Sequence, residues 1–262
     1  MRSGKPAAAF AVLLVVSFAT MNAMPSDTLL AAMLQEAVLA LVALVAVRFA
    51  VPDVLKRCTQ AVQQRNTVRF AAIALLLTGL IGGTVTLLTW LFADGGNVSG
   101  FVSAALPLAA GLIRNLLLLL GICLLTGVYE EAFMRVLGIE AFERALDTKR
   151  AILASAALFA LLHVGAPDVS AGQLVLLQTA LKFGQALLFG VILGALYVRT
   201  RRLWPCAFIH AGFDILYMAP NVLLTGTMPE TYASGAVGDT VLLAVSVLML
   251  SGIVLKIRKE IA

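Results

Sequence analysis

The sequence predicts an all-α, polytopic membrane protein with about eight transmembrane helices. Three observations predict it: the composition, the apolar runs and the distribution of basic residues. Of the 262 residues, 61% are hydrophobic and only 13% are charged, whereas soluble domains carry about 25% charged residues. Folding in water cannot cover so much apolar surface, so lipid is the natural solvent. The length fits a single membrane domain over residues 1–262 and leaves no room for a large soluble one.

Eight apolar runs are the candidate spans, because a helix needs about 20 apolar residues to cross the hydrocarbon core. They cover residues 7–24, 29–50, 70–92, 102–128, 151–166, 172–198, 203–219 and 238–256, of which the fifth and seventh are short. The first run follows Arg2 and Lys5 and ends near Met21-Asn22-Ala23, so it resembles a cleavable signal peptide as well as a helix. Its length and the topology favour a retained first helix.

Basic residues occupy alternate connections between these runs. They are Arg2 and Lys5; Arg48, Lys56, Arg57, Arg65 and Arg69; Arg144, Lys149 and Arg150; Arg199, Arg201 and Arg202; and Lys256, Arg258 and Lys259. The other connections hold Asp27, Asp94, Asp168 and Glu230 but no Lys or Arg. The positive-inside rule then places both termini in the cytoplasm, which an even number of spans satisfies. Topology also explains the net charge of +5, so the bilayer is the expected partner and nucleic acid is not.

Ionisable side chains inside the apolar runs carry the chemical information, because each costs at least about 2.5–3.5 kcal/mol at the centre of a membrane helix. They are Glu36, Arg114, Glu130, Glu131, Arg135, His163, Lys182, His210 and Asp214. Three short patterns contain most of them and include both histidines of the chain.

The first pattern is the segment Glu130-Glu131-Ala132-Phe133-Met134-Arg135. Glu131 and Arg135 are spaced to pair on one helix face, whereas Glu130 points about 100° away from Glu131. One carboxylate is thereby neutralised, and the other stays free to act as a general base. The alternative is a solvated helix end at the cytoplasmic surface.

The other two patterns each place a histidine on an apolar helix. Phe159 and His163 share one face, and so do His210 and Asp214, because each pair is spaced by one helical turn. In the second pair the carboxylate can orient or charge the imidazole. The alternatives are a core histidine with satisfied hydrogen bonds and a structural hydrogen bond between His210 and Asp214.

Depth in the membrane connects the three patterns. At about 1.5 Å per residue, Glu130 lies roughly 21 Å from Arg144, provided that the fourth helix extends to about residue 143. By the same measure His163 lies about 20 Å from Arg150, and His210 about 12 Å from the basic cluster before it. All three patterns therefore reach a similar level inside the membrane, accessible from the cytoplasm.

Two schemes of water activation fit these residue types. In one, Glu130 aided by His163 removes a proton from water, while His210 and Asp214 support the oxyanion. In the other, His163, His210 and Glu130 bind zinc, which lowers the pKa of its water. Serine chemistry is disfavoured because the sequence has no G-x-S-x-G elbow.

The order Glu-Glu-x-x-x-Arg, Phe-x-x-x-His and His-x-x-x-Asp on successive apolar helices resembles the CPBP family. This family includes type II CAAX prenyl endopeptidases and bacterial CAAX-like intramembrane proteases. The resemblance covers roughly residues 120–216, including the glycine-spaced helix that precedes the His210 helix. It implies an eight-helix membrane fold with a cytosol-facing cavity and, here, an integral protein of the bacterial inner (plasma) membrane.

The resemblance also implies roles for individual residues. Glu130 and His163 would activate the attacking water, His210 and residue 214 would stabilise the oxyanion, and Glu131, Arg135 and Phe159 would support them. We favour the metal-free, glutamate-dependent mechanism, with zinc as the alternative. Many members have asparagine where this chain has Asp214, and an ionised Asp would repel an oxyanion. It must therefore be protonated, paired with His210 or engaged elsewhere.

The function expected from these features is cleavage of a peptide bond in a membrane-associated protein or peptide. A non-enzymatic immunity or scaffold protein with the same fold is the first alternative. A proton-coupled transporter is the second, since Glu, His and Lys182 inside a helix bundle also suit a proton relay. Transporters often carry inverted repeats with broken helices, and the sequence shows no internal repeat.

Overall fold

The computed structural model describes residues 4–24, 26–56, 65–93, 109–164, 170, 172–228 and 233–261. Nearly all of these residues are helical, and none of them is in a strand, which confirms the predicted all-α class. Several sequence predictions concern residues outside these ranges. These residues are Arg2, Arg57, Asp94, Asp168, Glu230 and the start of the fourth apolar run at 102–108.

The helices follow the predicted runs closely. They are α1 (Lys5–Ala23), α2 (Leu29–Ala50), the short α3 (Pro52–Lys56), α4 (Arg65–Ala93), α5 (Ala109–Glu131), a π-helical segment (Ala132–Ile139), α6 (Glu140–Phe142), α7 (Thr148–Val164), α8 (Gln173–Thr200), α9 (Leu203–Thr225) and α10 (Val237–Ile261). The predicted extension of the fourth helix to about residue 143 is confirmed, because one stretch suited to a membrane span covers Gly111–Phe142.

Seven stretches of the described chain are long and apolar enough to cross a membrane. They correspond to seven of the eight predicted spans, and the remaining one is α7. This helix has 17 residues, or about 25 Å at 1.5 Å per residue, which is less than the roughly 30 Å of a hydrocarbon core. It packs mainly along α8 and also contacts the π-helical segment.

Glycines set the distances between the helices that carry the three patterns. A Cβ atom on Gly127 of α5 would lie 2.6 Å from the carbonyl oxygen of Ala207 on α9, and one on Gly190 of α8 would lie 2.9 Å from the Cβ of Ala156 on α7. Any larger residue would therefore separate these helices. The glycine spacing of α8 predicted such close packing, since small residues let helices approach.

A group of charged and polar residues, which we call the edge network, joins the ends of α6 and α8. It consists of Glu140, Glu143, Tyr197 and Arg201. The guanidinium of Arg201 donates to Glu140 at 2.7 Å and to both carboxylate oxygens of Glu143 at 2.8 and 3.0 Å. Burial alone would lower the pKa of Arg201, but the hydrogen bond to Glu143 and the charges of both glutamates raise it above its ordinary value.

Candidate active site

The tertiary structure brings the three sequence patterns together around the carboxylate of Glu130. Glu130 is at the end of α5, His163 near the end of α7 and His210 in α9. The Oε1 atom of Glu130 lies 3.9 Å from His163 Nε2, and the Oε2 atom of Glu130 lies 3.4 Å from His210 Nε2. The carboxylate that the sequence left unpaired therefore faces both histidines of the chain.

His210 is surrounded by carboxylates from two helices. Its Nδ1 atom is 2.9 Å from Glu131 Oε1, and its Nε2 atom is 3.3 Å from Asp214 Oδ2. An ionised carboxylate accepts hydrogen bonds but cannot donate them. An imidazole nitrogen that is hydrogen-bonded to such a carboxylate must therefore carry the hydrogen. The sequence left Asp214 protonated, paired with His210 or engaged elsewhere. In the structure its carboxylate lies in contact with His210.

Glu131 has two partners, of which the sequence predicted one. Its Oε2 atom lies 3.1 Å from Nε of Arg135, and both side chains are fully buried. The missed partner is His210, which is 79 residues away in sequence. Arg135 stacks over the ring of Phe159 at 4.6 Å, and its nitrogens have no hydrogen bond within the described part of the chain. The ion pair thus lacks good hydrogen-bond angles.

Glu130 and Glu131 reach different partners because adjacent residues of a helix point about 100° apart, and the helix geometry changes directly after them. The α-helix becomes a π-helix directly after Glu131 and stays so through Ile139. Wider π turns are rare and are found frequently at functional sites. Here the segment carries Arg135 inward beneath Glu131, with every residue of the segment buried.

Phe159 positions His163 as well as contacting Arg135. The carbonyl oxygen of Phe159 lies 2.9 Å from His163 Nδ1. A carbonyl only accepts, so Nδ1 carries the hydrogen and Nε2 is left facing Glu130. The rings of Phe159 and His163 are 4.2 Å apart, which restricts rotation of the imidazole.

Residues outside the three patterns complete the site. Lys182 and Gln185 of α8 line a small cavity together with His163, His210 and Asp214. The ring of Phe189 meets His210 edge-on at 4.8 Å. Lys182 could be suspected from its charge inside an apolar run, whereas nothing in the local sequence distinguishes Gln185 or Phe189.

Glu36 of α2 is a further carboxylate close to this cluster. It shares a side-chain hydrogen bond with Thr126, and the charges of Asp214 and His210 act on it. Its Oε2 atom is buried and has no hydrogen bond within the described ranges. The sequence identified Glu36 as an ionisable membrane residue but placed it in no pattern.

An apolar cavity of about 430 Å³ borders the site between α1, α5 and α7. Glu130 and His163 line it on one side, and most of the remaining lining is apolar, although Ser17, Asn22 and Tyr129 also contribute. Phe18 is 73% exposed, so the α1 wall belongs to the outer, lipid-facing surface of the bundle. The cavity therefore connects an apolar environment with the two polar residues.

The zinc alternative required His163, His210 and Glu130 as ligands. Within the described residues, no three His, Cys, Asp or Glu side chains are placed to hold one metal ion. The residues present thus do not form a zinc site in this arrangement.

Fold and site together define a polytopic membrane protein with an acid–base cluster inside the helix bundle. Residues 112–216 match the family described as type II CAAX prenyl endopeptidase Rce1-like. The matched segment includes all three motifs and confirms the resemblance to the CPBP family, which implies a peptidase. The comparison with curated proteins gives no significant match.

Proposed function

We propose that this protein is an intramembrane endopeptidase that hydrolyses a peptide bond in a membrane-associated protein or peptide. The observation that supports it most directly is the Glu130 carboxylate, which faces His163 and His210 at the wall of an apolar cavity. The family match supports the same class of reaction.

In the proposed mechanism Glu130 is the general base and His163 helps to hold the water. The distance of 3.9 Å between Glu130 Oε1 and His163 Nε2 exceeds that of a direct hydrogen bond. A water molecule that donates one hydrogen to each of these two acceptors is oriented with its oxygen lone pairs toward a substrate carbonyl. General-base catalysis by a positioned side chain contributes about 10²–10⁴-fold.

The peptide bond is broken in two steps. First, Glu130 takes a proton while the water oxygen bonds to the carbonyl carbon, and the carbonyl electrons move to oxygen to form an oxyanion. The Nε2–H group of His210 donates to this oxyanion, which is electrostatic stabilisation by a preorganised donor. Collapse of the intermediate then breaks the C–N bond, and Glu130 passes its proton to the departing amine. One water is consumed, and the products are a carboxylic acid and an amine.

Glu131 and Arg135 act in this mechanism by positioning His210. The hydrogen bond from Nδ1 to Glu131 at 2.9 Å sets the ring orientation, so that Nε2 is directed at the reacting centre. The ion pair with Arg135 holds Glu131 in turn.

The apolar cavity suits a substrate that arrives from the bilayer with apolar groups next to the scissile bond. The matching family is described as a type II CAAX prenyl endopeptidase. A prenylated CAAX peptide and the same peptide without the prenyl group are therefore the first pair to compare.

The central test is Glu130→Gln in protein purified into lipid nanodiscs. We expect loss of cleavage by about 10²–10⁴-fold at unchanged insertion and thermal stability, since glutamine keeps the volume but cannot accept the proton. The assay uses internally quenched peptides with and without the prenyl group, and mass spectrometry identifies the cut bond. Full activity of Glu130→Gln would refute the proposal, and loss of activity after exhaustive chelation would favour the zinc scheme.

A further inference from the structure

Lys182 is a cation on α8 that the proposed mechanism leaves without a role. It lies in the interior of a helix that is long and apolar enough to span the membrane. Charged residues in such positions are rare and mark functional sites by default. Its neighbours are the catalytic groups themselves, because Lys182, His163, His210 and Asp214 line one cavity of about 40 Å³.

A chain of hydrogen bonds fixes the position of the Lys182 ammonium. Nζ donates to Gln185 Oε1 at 3.1 Å, and Nε2 of Gln185 donates to the hydroxyl of Tyr217 on α9 at 3.1 Å. Gln185 is buried, and both ends of its amide take part in this chain. The ammonium is thus held by Gln185 in the lining of the cavity that Asp214 also lines.

The charges around His210 explain why a cation is needed there. Glu130, Glu131 and Asp214 all lie within 3.4 Å of its ring nitrogens, and Arg135 offsets only Glu131. Lys182 lines the same small cavity as His210 and Asp214. Among the residues that line the small cavity, it is the one lysine or arginine.

An oxyanion that forms next to His210 would be close to the Asp214 carboxylate. Two like charges at contact distance repel strongly where the dielectric constant is low. A neighbouring ammonium reduces this repulsion, so that the His210 Nε2–H group, which faces Asp214 at 3.3 Å, can donate to the oxyanion instead.

We propose that Lys182 is a positioning residue of the active site, whose ammonium offsets the charge of Asp214 and allows the oxyanion to form beside it. This inference rests on the proposed peptidase function. It also assigns Asp214 and Lys182 to one electrostatic unit that bridges α8 and α9.

The test is a double-mutant cycle with Lys182→Met, Asp214→Asn and the combined variant, assayed with a quenched peptide that the wild-type protein cleaves. We expect Lys182→Met to lower kcat about tenfold or more in the wild-type background and less than about threefold in the Asp214→Asn background, because residues that act as a unit are not additive. Lys182→Arg keeps the charge and is expected to retain most of the activity. If Lys182→Met does not fold, Lys182→Gln, which can still hydrogen-bond to Gln185, takes its place.

Three results would overturn the inference. Equal effects of Lys182→Met in both backgrounds would show that Lys182 acts independently of Asp214. Loss of activity in Asp214→Asn alone would show that the carboxylate is required rather than offset. A change confined to KM, and only for peptides with a free rather than an amidated C-terminus, would show that Lys182 binds the substrate carboxylate.

The wild-type protein and Glu130→Gln separate these outcomes from failure of the proposed function. If neither cleaves any peptide, the peptidase function itself fails. If cleavage depends on Glu130 but shows no coupling between Lys182 and Asp214, only the role of Lys182 is refuted.

Discussion

Two groups of charged residues can be compared: the edge network and the candidate active-site cluster of Glu130, Glu131, Arg135, His163 and His210. The hydrogen-bonding capacity of their side chains is used to different degrees. Arg201 makes three hydrogen bonds of 2.7–3.0 Å with Glu140 and Glu143. Arg135, although fully buried, has one ion-pair contact at 3.1 Å, and its nitrogens form no hydrogen bond with other described residues. The contacts of Glu130 with the two histidines are longer still, at 3.4 and 3.9 Å.

Under the proposed function, this difference separates a structural network from a reactive one. Buried polar groups in proteins are nearly always hydrogen-bonded, and exceptions call for an explanation. In the edge network each charged side chain takes part in a hydrogen bond of 3.0 Å or less. These bonds join the ends of two helices, which is a structural role. In the proposed mechanism, the long contacts of Glu130 leave its carboxylate able to accept a hydrogen bond from a water, and they leave the His210 N–H able to donate to a substrate carbonyl.

The largest loss of folding stability should come from breaking the buried ion pair of Glu131 and Arg135. Arg135→Met leaves Glu131 without its cation in the bundle interior, and such a loss typically destabilises by about 3–5 kcal/mol. Thermal unfolding in detergent can be followed with a thiol-reactive fluorophore, because Cys123 and Cys206 are buried and free. We also expect a strong loss of peptide cleavage, since Glu131 orients His210.

The double variant Glu131→Gln/Arg135→Met is the matched control for that measurement. Removal of both charges should recover part of the stability, while cleavage stays low because His210 has lost its carboxylate partner. If Arg135→Met leaves the midpoint temperature of thermal unfolding unchanged, the pair of Glu131 and Arg135 is not essential to the core.

A smaller effect is expected for Arg201→Gln in the edge network. Hydrogen bonds to charged groups contribute about 1.5–3 kcal/mol each when buried, but the Arg201 side chain is 27% exposed and solvent screens part of this. We expect a total loss of about 1–3 kcal/mol and unchanged kcat/KM at temperatures where the variant is folded. A selective loss of activity would place the edge network in the mechanism and remove its distinction from the active-site cluster.

The smallest effect is expected for the exposed pair of Arg150 and Asp147. Their side chains are 76% and 57% exposed, with a separation of 3.3 Å. Arg150→Ala should change stability by no more than about 0.5 kcal/mol, because exposed pairs contribute little. Asp147 is kept intact, since its carboxylate also accepts the backbone N–H of Arg150 at the start of α7. A larger shift would mean that basic residues at helix ends stabilise this fold directly.

Local features of this chain could be predicted from sequence with good accuracy. The all-α class, the bounds of most helices and the pairing of Glu131 with Arg135 depend on hydropathy and on one-turn spacing, which are properties of neighbouring residues. The described part of α7 ends at Val164, and the last two residues of its predicted run, 165 and 166, lie outside the described ranges.

Contacts between distant residues were predicted only in part. The shared depth of Glu130, His163 and His210 followed from helix rise, but depth does not determine which way a helix faces. The contact of Glu131 with His210 and the shared cavity of Lys182 and Asp214 depend on the rotation of α5, α8 and α9 about their axes. That rotation is set by the packing of the whole bundle, including close approaches such as that of Gly127 to Ala207, and it cannot be read from residue spacing.

The sequence by itself determined that this is a membrane protein with two glutamates, two histidines and an aspartate inside apolar helices, because composition and periodicity are local properties. Only the tertiary structure decided their partners: Glu130 contacts both histidines, and Glu131 contacts His210 and Arg135. The physical reason is that a buried charge is stabilised by whichever groups helix packing brings within about 4 Å, and packing is a property of the whole chain.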